Sequence, residues 1–170
     1  MIKPARLLIA VLARQPELIN TAEPELISAF GPILLRSPVI NWNFSRYYEP
    51  EMGPDLVRQW LLFQPPVLPY QLSQLKDKTM EIEDRFRDEN GNRRLNLDPG
   101  ILTLHNLVLA TTKDYSHRIA LTPELYAEVT LIFHQGNYQP LPWTYPDYKT
   151  ETCLNFLSAC RRTLLAPAES

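Results

Sequence analysis

Two carboxylates two positions apart stand next to an arginine in residues 44–53, which read FSRYYEPEMG. The residue before a proline is disfavoured in the α region, so we expect Glu49 to be extended and Glu51 to point to the same side of the chain. Neighbouring carboxylates repel each other unless a proton or a cation lies between them. The pair therefore predicts a Mg²⁺ or Mn²⁺ site or an acid/base dyad. The alternative is a solvated edge on which the glutamates pair with Arg46 or Arg58.

A third carboxylate, Asp98, lies at the end of a predicted strand in the sequence NLDPG. Pro99 and Gly100 match the two central positions of a type II turn, which would follow the strand directly. A carboxylate at a strand end is fixed by the sheet and accessible from the loop, so Asp98 is a candidate metal ligand and a candidate catalytic residue. An aspartate that begins a turn also accepts backbone N–H bonds, and the sequence leaves both interpretations open.

Basic side chains collect in the segment TTKDYSHR, which holds Lys113, His117 and Arg118 within six residues. Lysine and arginine suit an anionic group, and histidine can move a proton near neutral pH. The segment therefore predicts an anion-binding array with a proton shuttle. The alternative is a hairpin tip that carries ordinary surface charge.

Two tyrosines flank Asp147 in the segment WTYPDY, at the entrance to the last predicted helix. Aspartate is a preferred N-cap residue, which gives Asp147 a structural explanation. The same position makes Asp147 a third candidate catalytic residue, with Tyr145 and Tyr148 as candidate ligand contacts.

Together these segments predict a metal-assisted enzyme, or a ligand-binding protein, for a phosphorylated or nucleotide-like small molecule. The candidate catalytic residues are His117, Asp98 and Asp147; the candidate substrate-binding residues are Arg46, Tyr48, Lys113, Arg118, Tyr145 and Tyr148; the candidate metal ligands are Glu49, Glu51 and Asp98. The alternative hypothesis is a non-enzymatic protein-interaction module, in which the polar motifs form a structural salt-bridge network and exposed tryptophans such as Trp42, Trp60 and Trp143 bind a partner.

Composition and missing motifs exclude several classes of function. The chain of 170 residues has a net charge of −2 and only short basic pairs, which argues against general nucleic-acid binding. It contains neither the P-loop nor the Rossmann glycine pattern, and its three histidines and two separated cysteines do not form a structural zinc motif. Cys153 and Cys160 fit the core of a protein in a reducing, cytoplasmic compartment, and no apolar run is long enough to span a membrane. The oligomeric state is not indicated.

The pattern of elements predicts a single α+β domain over residues 1–165, followed by a loose tail at residues 166–170. Residues 5–12 are continuously apolar, as in a central strand, and helices are predicted over residues 18–30 and 69–87 and from about residue 148. NLVLATT and HRIAL are expected to pair through KDYS, and HQGN is expected to turn a hairpin. We therefore expect a mixed or mainly antiparallel sheet, ferredoxin-like or related, with three helices packed on it.

Four separated motifs carry a family resemblance: YYEPEMG, RRLNLDPG, LATTKDYSHRIAL followed by YAEVTL, and WTYPDY. In this order they resemble the uncharacterised family numbered 4416 among the domains of unknown function, over nearly the whole chain. The resemblance implies no established activity. It does imply an aromatic residue after DPG, where this chain has Ile101.

Overall fold

The computed structural model describes residue 3 and residues 5–165, and in this part of the chain it contains nine strands and four α-helices. The strands are β1 (Ala5–Ala13), β2 (Ile33–Arg36), β3 (Ile40–Asn41), β4 (Val57–Val67), β5 (Leu95–Leu102), β6 (Asn106–Thr111), β7 (Arg118–Ala120), β8 (Tyr126–His134) and β9 (Asn137–Pro140). The α-helices are α1 (Pro16–Phe30), α2 (Glu49–Met52), α3 (Leu72–Arg85) and α4 (Glu151–Leu165), and short 3₁₀ helices span Pro69–Gln71 and Pro146–Lys149. The predicted tail at residues 166–170 lies outside the described residues.

All nine strands belong to one sheet, in the order β2-β4-β1-β5-β6-β8-β7, with β3 beside β4 and β9 beside β8. Neighbouring strands run antiparallel throughout the described residues. The α+β class and the antiparallel sheet are thus as predicted. The ferredoxin-like arrangement is not confirmed, because the sheet has nine strands, and a fourth, one-turn helix adds to the three predicted.

Helices cover both faces of the sheet, which explains why β1 is apolar at every position but one. Leu7, Ile9 and Val11 pack against α1 and α3, whereas Leu8 and Ala10 point to the opposite face and pack with α4. Such two-sided burial is the usual cause of a continuous apolar strand. No helix among the described residues is long and apolar enough to cross a membrane.

Local sequence signals place several elements correctly. Gly31 ends α1 with a φ of 89° and donates its N–H to the Ile27 carbonyl, as a C-terminal glycine is expected to do. Gln135 and Gly136 both have positive φ between β8 and β9, where the HQGN hairpin was predicted.

The DPG segment does not form a turn, and that prediction is wrong. Pro99 and Gly100 continue β5, and Gly100 does not have the positive φ that the second central position of a type II turn requires. Close packing explains this glycine instead, because a Cβ there would lie 2.6 Å from Leu109 Cδ2 on the neighbouring strand. Asp98 is therefore inside a strand.

Two further local predictions are also wrong. Glu49 is helical rather than extended, since α2 begins at that residue with Pro50 in its first turn, where proline is tolerated. The strands β6 and β7 do not pair with each other through KDYS, because β8 lies between them and pairs with both. The nine-residue strand β8 forms backbone hydrogen bonds with β6 on one side and with β7 on the other. If β6 and β7 paired directly with each other, β8 could not lie between them.

Candidate functional site

The polar segments picked out from the sequence meet on the face of the sheet that α4 covers in part. Arg58, Asp98 and Glu128 lie on this face in β4, β5 and β8, on the same side as Trp60, Leu102 and Leu109. Asp98 is near the centre of the group, and we call it and its neighbours Arg58, Lys76, Tyr48 and Tyr145 the Asp98 site.

Buried cations and an amide hold the Asp98 carboxylate from beneath. Lys76 Nζ lies 3.7 Å from Asp98 Oδ1, Arg58 Nη1 lies 3.9 Å from Oδ2, and Asn96 Nδ2 donates to Oδ2 at 2.9 Å. The side chains of Arg58 and Lys76 are 3% and 8% exposed, whereas that of Asp98 is 28% exposed. The site therefore presents a fixed carboxylate to the solvent.

The sheet opens beside Asp98 because β6 pairs with β5 only from Gly100 onward. The Leu97 N–H and carbonyl consequently lack a strand partner on that side, and α3 supplies two side chains instead. Glu83 Oε1 accepts from the Leu97 N–H at 2.6 Å, and Lys76 Nζ donates to the Leu97 carbonyl at 3.0 Å. Burial raises the pKa of Glu83, while Lys76 and the Leu97 N–H oppose the rise. Lys76 thus reaches Asp98 through the gap between the two strands.

Arg58 and Asp147 form a buried ion pair next to Asp98. Arg58 Nε lies 3.1 Å from Asp147 Oδ2, and the two side chains are 3% and 1% exposed. Burial raises the pKa of Asp147, and the Arg58 guanidinium opposes that rise. The contact is an ion pair without hydrogen-bond geometry: Arg58 Nε and Nη1, both Asp147 oxygens and the Tyr148 hydroxyl form no hydrogen bond with the described residues. Buried polar atoms without partners are rare in folded proteins, so this concentration marks an unusual place in the core.

Two tyrosines contribute hydroxyl groups to the Asp98 site from separate segments. Burial raises the pKa of Tyr48, and the Asp98 carboxylate adds to the rise. Burial also raises the pKa of Tyr145, with Glu128 and Asp98 contributing and Arg118 opposing. Both phenols therefore stay protonated near neutral pH and can act as hydrogen-bond donors.

A second polar group surrounds Glu128 on β8, and we call it the Glu128 cluster. The Glu128 carboxylate is 2% exposed; its Oε2 lies 2.8 Å from His117 Nε2 and 2.9 Å from Arg118 Nε, and its Oε1 accepts from the Thr130 hydroxyl at 3.1 Å. Arg118 Nη2 also donates to the Tyr145 hydroxyl oxygen at 2.9 Å. This bond joins the Glu128 cluster to the Asp98 site.

Lys113 connects the basic segment to the segment that carries α2. Its Nζ lies 3.8 Å from the centre of the Tyr47 ring, and its carbonyl accepts from Arg118 Nη1 at 2.8 Å. The Lys113 ammonium lowers the pKa of the Tyr47 hydroxyl through a hydrogen bond and through its charge. All four polar motifs are therefore joined around Asp98 and Glu128.

The carboxylates chosen as metal ligands do not share one position. Glu51 is bound by Arg93, whose Nη2 donates to Oε2 at 2.8 Å and whose backbone N–H donates to Oε1 at 2.9 Å. Asp98 is bound by its own set of cations, and Glu49 is exposed on the outer side of α2 without an ion pair within residues 5–165. No group of three or more His, Cys, Asp or Glu side chains with metal-binding geometry occurs in the described part of the chain. In this arrangement Glu51 and Asp98 have different partners, and Glu49 faces the solvent separately.

The remaining predicted residues fall into different environments. Arg46 is exposed, and its side chain forms no hydrogen bond or ion pair with the residues that the structure describes. Tyr148 is only 2% exposed and packs its ring against Trp60, with ring centres 5.8 Å apart. Trp60 is fully buried, so the expectation that it is an exposed partner contact is wrong. Tyr148 is therefore part of the core beneath the site and is not an open ligand contact.

Comparison with protein-family models decides the family. The model of the domain of unknown function DUF4416 matches residues 3–164. The chain belongs to the DUF4416 family. No curated protein and no solved structure matched the chain. In this DUF4416 member Ile101 is 2% exposed and lies in the core between the sheet and helices α1 and α3. The residue after DPG thus points away from Asp98, which lies on the other face.

Sequence reasoning missed the partners that hold the DUF4416 site together. Arg58, Lys76 and Glu128 are each buried by 94% or more, and only contacts between distant segments bring them to the site. The available signal was a charged residue inside a predicted strand or on the apolar side of a predicted helix. Such a residue is seldom buried unless it is paired, so its position indicates a buried ion pair. Glu128 in particular alternates with apolar residues in β8, a pattern that usually places a charged side chain on the solvent side of a strand.

Proposed function

We propose that this DUF4416 protein binds a phosphorylated or nucleotide-like small molecule over the Asp98 site. Lys113 receives its anionic group beside the fixed charge of Arg118, and Tyr48 and Tyr145 donate hydrogen bonds to its neutral polar groups. Asp98 accepts a proton or a hydrogen bond from a ligand hydroxyl. The class of reaction, if the bound molecule reacts, is proton transfer by Asp98 as general base.

The exposure of Asp98 relative to its partners carries this proposal. In the structural pair Arg93–Glu51 the cation and the carboxylate are similarly exposed, at 24% and 31%. At Asp98, by contrast, Asn96 donates to the carboxylate, two buried cations lie 3.7 and 3.9 Å from it, and its outer side remains open. A functional group held by a supporting shell has this arrangement. The solvent-facing side of Asp98 is therefore available to a ligand.

The hydrogen-bond directions around Tyr145 support the assigned roles. The Tyr145 oxygen already accepts from Arg118 Nη2, so its own O–H remains free to donate. Tyr145 is 42% exposed, which leaves that donor accessible from the solvent. Arg118 keeps a fixed orientation because Glu128 holds its Nε from the buried side. The Arg118 side chain is only 8% exposed, and each of its three nitrogens donates to a protein acceptor. Arg118 therefore contributes a fixed positive charge beneath the anion position, and the exposed Lys113 makes the direct contact.

The divalent ion stays a prediction, and the proposed binding does not depend on it. Its candidate ligands are engaged by separate cations, as described above. A titration of Mg²⁺ and Mn²⁺ that raises the melting temperature of the protein would support the metal. The same titration on Glu51→Gln and Asp98→Asn would show whether these two residues share it.

A thermal-shift and calorimetry screen tests the proposed function. A ligand that binds only the native state raises the melting temperature, so at least one nucleoside phosphate or sugar phosphate should do so. Lys113→Gln should weaken that binding, whereas Lys78→Gln should leave it unchanged. Both substitutions remove one exposed lysine, but Lys78 lies on the exposed side of α3, unlike the buried Lys76, and in none of the polar motifs. If no phosphate compound binds, or if the two variants behave alike, the proposal is wrong.

A structural role for the same residues is the second candidate, and the buried ion pairs favour it. Arg58–Asp147 and Arg118–Glu128 have both partners at least 92% buried, as in a network that fastens strands and loops together. In that case the protein would act as an interaction module, and the polar motifs would contribute only stability. Asp98→Asn separates the two candidates. If Asp98 binds a ligand, the variant should stay folded and lose binding; if Asp98 is structural, the variant should lose stability.

A further inference from the structure

Four exposed aromatic side chains contact the basic segment that holds Lys113, His117 and Arg118, and we call them the aromatic rim: Tyr47, Tyr115, Trp143 and Tyr145. Their exposed fractions are 61%, 66%, 37% and 42%. They come from three of the four polar motifs. Tyr47 contacts Lys113, Tyr145 contacts Arg118, and Tyr115 and Trp143 contact His117. Single exposed aromatic side chains are common on protein surfaces, but a group of them usually marks a binding site.

The rim is held in place by specific contacts. Trp143 stacks on His117 with ring centres 4.7 Å apart and an angle of 15° between the planes, and its Nε1 donates to the Val129 carbonyl at 2.8 Å. Tyr115 meets the same His117 ring edge-on at 5.3 Å. Rings fixed before binding lose little freedom when a ligand stacks on them, so this surface favours binding of a flat group.

The charges beside the rim select among flat ligands. An organic cation could stack on tyrosine and tryptophan, but Lys113 and Arg118 would repel it. A planar ring that carries an anionic substituent fits both features at once. Bases stack on aromatic side chains irrespective of sequence, because every base has a π face.

We propose that the aromatic rim stacks the base of a nucleoside phosphate whose phosphate lies at Lys113 and Arg118. This inference rests on the proposed function and narrows its ligand to nucleotides over sugar phosphates. A sugar phosphate would fill the anion position and leave the aromatic rim without a partner.

Calorimetry with matched ligands tests the inference on the full chain. The four common nucleoside 5′-monophosphates, ribose 5-phosphate and inorganic phosphate all carry the anion, and only the first group carries a base. We expect at least one nucleotide to bind about tenfold or more tightly than ribose 5-phosphate. Equal affinity for the two would overturn the stacking inference and leave the proposed function intact. Failure of every phosphate compound to bind would overturn both.

Variants of the rim provide the second readout. Tyr115→Leu and Trp143→Leu should each weaken nucleotide binding about tenfold, in line with the usual contribution of one stacked base, and should leave ribose 5-phosphate binding unchanged. Tyr70→Leu is the matched control, because Tyr70 is 65% exposed at the start of the segment before α3 and lies in none of the polar motifs. Tyr115 is so exposed that its replacement should not affect folding. Unchanged nucleotide affinity in Tyr115→Leu and Trp143→Leu would contradict the inference.

Discussion

Arg58 Nε lies 3.1 Å from Asp147 Oδ2, and this buried pair ties β4 to the 3₁₀ helix that precedes α4. The charge of each residue is compensated mainly by the other, since water is excluded from both. Breaking a buried pair leaves an uncompensated charge, which usually destabilises a protein by about 3–5 kcal/mol. The stability of the Asp98 site therefore depends on a contact that is itself closed to ligands.

Arg58→Met should lower the free energy of unfolding by about 3–5 kcal/mol because Asp147 is left buried without its cation. The double variant Arg58→Met with Asp147→Leu should recover most of that loss, since no charge remains. Urea denaturation of both variants measures the effect. A double variant that is no more stable than Arg58→Met would show that the two side chains act independently.

Gly100→Ala should destabilise the protein by about 1–3 kcal/mol, the usual cost of an overpacked core. The new Cβ would lie 2.6 Å from Leu109 Cδ2 and 3.1 Å from Leu107 Cδ1. Leu109→Ala removes the nearer obstacle, so Gly100→Ala should cost less in a Leu109→Ala background. An equal cost in both backgrounds, measured by thermal or urea unfolding, would contradict this packing arrangement.

Glu51→Gln should reduce stability at neutral pH and have little effect in acid. The hydrogen bonds from Arg93 lower the pKa of Glu51 in the folded state. Its contribution is therefore present above the ordinary carboxyl pKa of about 4.3 and is lost as the pH falls through the lowered value, because the unfolded chain takes up the proton first. Urea unfolding at about pH 7 and about pH 3 measures the difference. Glu49→Gln is the control two positions away, and a pH dependence equal to that of Glu51→Gln would contradict the assignment.

The two cysteines should not react with iodoacetamide in the native protein and should both react in urea. Burial raises the pKa of Cys160 to about 12 and that of Cys153 well above its ordinary value, so the reactive thiolate is scarce. Both side chains lie in the core between the sheet and α4. Mass spectrometry of labelled protein counts the modified thiols. Rapid labelling without denaturant would place one of them outside the core.

Local patterns in the sequence predicted the elements that depend on neighbouring residues. The apolar run of β1, the glycine at the end of α1 and the turn between β8 and β9 are set by side-chain period and backbone preference over a few positions. The same reasoning failed at two prolines. Pro50 was expected in an extended segment but lies in the first turn of α2, and Pro99 was expected in a turn but lies in β5, before the part that pairs with β6. In both places the surrounding tertiary structure decided between two conformations that proline permits.

The sequence predicted the residues of the site that face the solvent but did not predict the buried residues that hold them in place. Asp98, Lys113 and Tyr145 stand out because they lie in short polar motifs. Arg58 and Glu128 come from strands far apart in the chain, and their roles depend on the register of β4 and β8, which single-sequence patterns do not determine. Family membership confirmed that the motifs belong together but supplied no chemistry.

Asp98→Asn tests the central claim, that a ligand binds over this carboxylate, most directly. The substitution keeps the shape of the side chain and its hydrogen-bonding capacity and removes its charge. The measurement is the affinity for the best phosphate compound from the screen, taken with the melting temperature of the unliganded variant. We predict a melting temperature within a few degrees of the wild type and binding weakened at least tenfold. A variant that unfolds, or one that binds as tightly as the wild type, would contradict the account and leave Asp98 with a structural role.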